Sequence, residues 1–130
     1  KIATYFRKPW VLSQKNLAQE IEKYCSELGM QRASINTALQ ISVPIEQMGE
    51  GTYMMMNAGF TAAIIYISIR LNSHLAHRTQ REISTACRVT EVTLRNNYKI
   101  ILKNMRMDKK KFEKGFYTVE DIVSGAYKNE

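Results

Sequence analysis

The chain has 130 residues, 45% of them apolar and 24% charged, with a formal net charge of +7. That is the size and composition of one globular domain with a real core, which excludes a disordered segment. The most apolar stretch, residues 58–69, is too short for a bilayer and has no signal-peptide flank, so no membrane partner is expected.

The opening residues 1–12, with Tyr5, Phe6 and Trp10 around Pro9, read as a lead-in that packs on the domain. Helical periodicity begins with Ser13 as N-cap and stops at Gly29, placing Leu17, Ile21, Tyr24, Cys25 and Leu28 on one face. A second helix is predicted over 31–48 with the stripe Ile35, Ala38, Leu39 and Ile41, which Pro44 should kink or end early. Residues 49–57 read as a loop in which Met54, Met55 and Met56 serve adaptable packing. The third helix, 57–71, is apolar almost all round, and a helix without a polar face belongs in the middle of a bundle. A polar connection over 72–78 follows, and its His74 and His77 read as exposed loop residues.

Thr79 and Glu82 form a capping box that starts a short helix ending near Cys87. Thr90 starts the next helix, to about Met105, with Val89 and Leu94 as its hydrophobic staple and Leu94, Tyr98, Ile101 and Met105 facing inward. Two helices joined by about three residues have the arrangement of a helix-turn-helix over 79–105. Ile83 and Cys87 supply its apolar contacts, Ser84 allows close passage, and Val89 is buried at the turn. Arg88 stands where that motif usually has glycine, a costly residue for a left-handed backbone.

The outer face of the second helix carries Val92, Arg95, Asn96, Lys99 and Lys103. A valine can contact a thymine methyl, an arginine can bind guanine with two hydrogen bonds, and an asparagine can read adenine. The lysines can reach phosphates. Arg88 at the turn, with Thr79 and Arg81 at the start of the first helix, completes the set of candidate DNA-contacting residues. Charge agrees with this placement: residues 70–114 hold twelve Lys/Arg against four Asp/Glu, more than the whole net excess. The basic run continues through Arg106, Lys109, Lys110, Lys111 and Lys114, as a phosphate clamp or an extension of the basic face. Val119, Ile122, Val123 and Tyr127 mark a closing amphipathic piece over 118–127. Two distant cysteines, Cys25 and Cys87, and two histidines fit neither a zinc cluster nor a disulfide scaffold, so a reducing compartment and no metal or cofactor are expected. No nucleophile, metal or phosphate-loop pattern marks an enzyme or a small-molecule site.

Thr61-Ala62-Ala63-Ile64-Ile65-Tyr66, Arg78-Thr79-Gln80-Arg81-Glu82-Ile83, and Val92-Thr93-Leu94-Arg95 with Tyr98 together resemble the second cyclin-like repeat of transcription factor IIB. The resemblance spans about residues 12–105 and implies an all-α, cyclin-like five-helix bundle with a helix-turn-helix and an extra C-terminal helix. The expected organisation is a lead-in over 1–12, the repeat over 13–114, and a C-terminal helix and tail over 115–130. The resemblance further implies promoter DNA, the TATA-binding protein and RNA polymerase II as partners in the nucleus, with Val92 and Arg95 matching the base-contacting valine and arginine. It makes the chain one part of a longer factor, lacking the zinc ribbon and first repeat. Met54, Met55, Met56 and Asn57 replace the family's Gly-Arg-Ser-Pro lead, and Arg88 and Ile64-Ile65 depart from its small residues. The alternatives are a cyclin-like protein-interaction module, or a polymerase III, archaeal or viral relative of the factor.

Overall fold

The computed structural model describes residues 14–49, 58–73 and 77–125. The lead-in, the Ser13 cap, the methionine cluster at 54–56, His74 and the expected helix end at Tyr127 lie outside the described residues. The described residues form seven helices and no strand: α1 (Gln14–Glu27), α2 (Arg32–Gly49), α3 (Ala58–Leu71), α4 (Gln80–Cys87), α5 (Glu91–Asn104), α6 (Lys109–Glu113) and α7 (Val119–Ser124).

Every residue of α3 from Gly59 to Ile69 is buried, and the helix packs against α1, α2, α4 and α5. Each fully buried isoleucine contributes about 1.5–3 kcal/mol of transfer free energy, so the surrounded position is the stable one for this sequence. Thr61 and Ser68, buried within α3, are satisfied: Thr61 donates to Glu20 Oε1 at 2.8 Å and Ser68 to the carbonyl of Ile65 at 2.7 Å. Leu17, Ile21 and Cys25 of α1 and Ile35, Ala38 and Ile41 of α2 close over it, as the periodicity predicts, and Ile45, past Pro44, joins them. Tyr24, Leu28 and Leu39 pack at the margin.

Gly29 ends α1 at φ +69°, where its N–H reaches the carbonyl of Ser26 and that of Met30 reaches Cys25. This is a Schellman closure, which also tucks Met30 inward. Pro44 does not end α2, which continues to Gly49. The proline costs about 3 kcal/mol in a helix interior. The flanking Ile41 and Ile45 are both in the core, and their burial offsets that cost.

Past α5 the sequence predicts one helix, and the structure has two. The additional one, α6, is capped by Asp108, whose Oδ1 accepts from the N–H groups of Lys110 and Lys111. Five residues with one apolar side chain, Phe112, carry no readable period. The other, α7, begins with a capping box between Thr118 and Asp121 and rests on α2. Met107, Phe112 and Ile122 belong to the same core as α3, so the C-terminal extension is structural.

Truncating the central helix at a fully buried position, Ile64→Ala, should lower unfolding free energy by about 2–5 kcal/mol. Denaturant titration with an unchanged m-value checks it.

Candidate nucleic-acid interface

Both helices of the helix-turn-helix start where their caps dictate. Thr79 Oγ1 accepts from the N–H of Glu82 at 3.0 Å, and Glu82 Oε1 accepts from the N–H of Thr79 at 2.8 Å. These bonds hold the Glu82 carboxylate below its usual range, the backbone N–H of Thr79 being the main cause. Thr90 caps α5 in the same way, accepting from the N–H of Thr93 at 3.0 Å. Between the helices Arg88 sits at φ +61°, ψ +41°, so the left-handed turn is kept with arginine in the position glycine favours. The N–H groups of Arg88 and Val89 reach the carbonyls of Thr85 and Ser84. Val89 is half-buried here, less covered than the sequence suggests, because it lies at the edge of the core.

Arg78 fixes this unit on the bundle. Its Nε and Nη2 donate to the carbonyl of Leu28 at 3.0 and 2.8 Å, closing off the C-terminal end of α1 immediately before α4 begins. On the inner side, Leu94, Tyr98, Ile101, Leu102 and Met105 are buried. The Tyr98 ring meets Tyr66 of α3 edge-on at 5.0 Å, and its burial raises the phenol well above its usual range. Cys25 and Cys87 are buried, and desolvation pushes each thiol to about 12.

The outer face of α5 carries the predicted set. Val92 is 56% exposed, and Asn96, Lys99 and Lys103 are exposed. Arg81 and Arg88 are exposed alongside, while Thr79 has its side-chain oxygen committed to the cap. Arg95 differs from the rest. Its side chain is 43% exposed, and Nη1 donates to Gln80 Oε1 at 3.1 Å and lies 3.6 Å from Glu91 Oε1. Neither contact buries it, and both use one nitrogen. Nη2 and Nε have no acceptor among the described residues and remain available as the two donors a guanine edge requires. Gln80 was not among the residues the sequence singled out; a contact between separate helices has no signature in local spacing. Glu91 suits the helix dipole and also pairs with Arg95.

A family model described as the transcription factor TFIIB repeat matches residues 12–104. The chain belongs to the transcription factor IIB family. The transcription initiation factor IIB 1 of Thermococcus kodakarensis is 34% identical over 87 residues, covering 67% of this chain and 28% of the relative. That of Methanocaldococcus jannaschii is 34% identical over 97 residues, 75% of this chain and 14% of the relative. A shorter match, to the factor of Ignicoccus hospitalis, reaches 47% identity over 58 residues, covering 44% of this chain and 18% of the relative. The chain therefore spans about a quarter or less of the relatives it matches. No solved structure gives a significant match.

Membership of the IIB family gives this chain the cyclin-like helical fold. Its relatives are named as initiation factors rather than enzymes. Among the described residues no helix is long and apolar enough to cross a membrane, and no cluster of three His, Cys, Asp or Glu could hold a metal.

Two predictions follow from the local chemistry. Arg88→Gly keeps the turn and removes the left-handed strain, so stability should rise by about 1 kcal/mol, read as a higher denaturant midpoint. The depressed Glu82 carboxylate stabilises the fold above its unfolded pKa and loses that contribution as pH falls through its folded one. Stability of the native chain should fall in acid below the usual glutamate value of 4.5, and Glu82→Gln should flatten that fall. Urea midpoints from pH about 6 to 3 measure it.

Proposed function

We propose that this domain is the promoter-contacting repeat of a general initiation factor, with α5 entering the major groove beside the TATA-binding protein. Val92 and Arg95 read bases, Asn96 reaches an adjacent base edge, and Lys99 and Lys103 neutralise phosphates. Arg88, Arg81 and the rim around Thr79 meet the backbone near the N-terminal end of α5. In this position the domain sets the orientation in which RNA polymerase is recruited. Polymerase II and a nuclear site of action correspond to the eukaryotic members of the family. The relatives named above are archaeal, from cells without a nucleus, and for a chain of that kind the partner is the cell's own polymerase on chromosomal promoters.

The observation that supports this reading best is the state of Arg95: half-exposed, held by Gln80 through Nη1, and with Nη2 and Nε making no hydrogen bond among the described residues. Ordering a long side chain on binding costs about 0.5–1.5 kcal/mol. A guanidinium already held in place avoids part of that cost, which favours selective over merely electrostatic binding.

On a preferred duplex, Arg95→Ala should cost about 1–3 kcal/mol and relax preference at one base position. Lys99→Ala or Lys103→Ala should weaken all duplexes evenly and reduce the salt slope by about one each. Binding titrations on promoter DNA, with and without the TATA-binding protein, separate the two effects. Identical behaviour of the arginine and lysine variants would remove base reading, and binding to an acidic peptide in place of duplex would make this a protein-interaction module.

A further inference from the structure

Beyond the helix-turn-helix lies a second basic element whose position the sequence alone does not fix. We infer that α6 is an additional DNA-contacting element, with Lys110, Lys111 and Lys114 meeting backbone phosphates beside the groove that α5 enters. The inference rests on the reading of α5 given above and adds a site outside residues 12–104, the stretch that matches the family.

The first support is rigidity. Phe112 is buried and its ring lies 5.8 Å from that of Tyr98 on α5. Tyr98 donates its hydroxyl to Glu113 Oε2 at 3.3 Å, and Arg70 of α3 donates to the Glu113 carbonyl at 2.8 Å. At the other end the N–H of Asp108 donates to the Tyr117 hydroxyl at 3.1 Å. This is not a loose basic tail. It is a turn of helix held against the underside of α5.

The second support is which charges are left over. Lys109 is paired with Glu113 at 2.9 Å, and Asp108 is occupied as the helix cap. With Phe112 pointing into the core, helical spacing puts Lys110 and Lys114 on the opposite side, with Lys111 next to them. All three are exposed and form no ion pair among the described residues. Arg106, exposed at φ +57° in the turn between α5 and α6, adds a fourth cation.

The third support is reach. A 14-residue helix is about 21 Å long, whereas the major groove is about 12 Å wide. If the N-terminal turns of α5 lie on the bases, its C-terminal end is carried out over the flanking strand. The chain leaves that end through the exposed turn at Arg106, and α6 follows, folded back so that Phe112 reaches Tyr98. Phosphate contacts of this kind position a protein and carry no sequence information.

The test compares the native chain with a variant carrying Lys110→Gln, Lys111→Gln and Lys114→Gln, which keeps Asp108, Phe112 and Glu113 in place. A second variant with arginine at the same three positions restores charge without restoring lysine. Binding to promoter duplex is titrated across salt concentrations. Expected for the glutamine variant is a salt slope smaller by about one per contacting lysine, two to three in all. The preference for the base read by Arg95 should be unchanged, and the arginine variant should behave as native. A native slope in the glutamine variant, while Arg95→Ala still alters base preference, overturns the inference and leaves the reading of α5 intact. Loss of binding to the TATA-binding protein or polymerase with bare duplex binding unaffected also overturns it, assigning the face to a protein partner. A native chain with no base preference sinks the reading of α5 instead, and the slope difference still reports on α6 separately.

Discussion

Eleven consecutive residues of α3 are withdrawn from water, and that burial is the constraint on which the other helices depend. A helix with no side to offer solvent must be enclosed, and α1, α2, α4 and α5 enclose it. Because α5 packs directly on α3 through the Tyr66–Tyr98 contact, its rotation about its own axis is fixed by the core. Leu94, Ile101 and Leu102 are drawn inward with Tyr98, and the remaining arc is what solvent or a ligand can meet. The exposed face of α5 is therefore a consequence of apolar packing on its other side.

The polar contacts refine that placement. Arg78 joins the end of α1 to the start of α4 through the Leu28 carbonyl, satisfying a helix terminus that would otherwise be open. Gln80, two residues on, joins α4 to α5 through Arg95. Both bonds are charge-assisted, the stronger class, and both bridge elements distant in sequence. The first ties α4 to α1, and the second adds to the short turn at Arg88 in holding α4 and α5 together.

The extension past α5 gains its order from the same core. Phe112 and Ile122 are fully covered, and α7 lies on α2 while α6 lies under Tyr98. The short length of α6 would leave it unstable as an isolated helix, since nucleation is unfavourable and only five residues follow. Packing of one aromatic side chain and a well-made Asp108 cap replace what propagation cannot provide.

The sequence by itself determined the helical class, the central place of α3, the Gly29 stop, both helix-turn-helix caps and the outward arc of α5. Each of these follows from spacing within a single segment, where apolar periodicity and cap chemistry act over three or four residues. The family pattern from Thr61 to Tyr98 was legible for the same reason. Tertiary structure alone decided that α2 runs through Pro44, that Arg88 keeps the left-handed turn, and that Arg95 is held by Gln80. It also decided that a lysine-rich stretch with one phenylalanine becomes a docked helix. For the Arg95 contact and the docking of α6 the deciding energy comes from a partner on another helix, and local propensity carries no record of that partner.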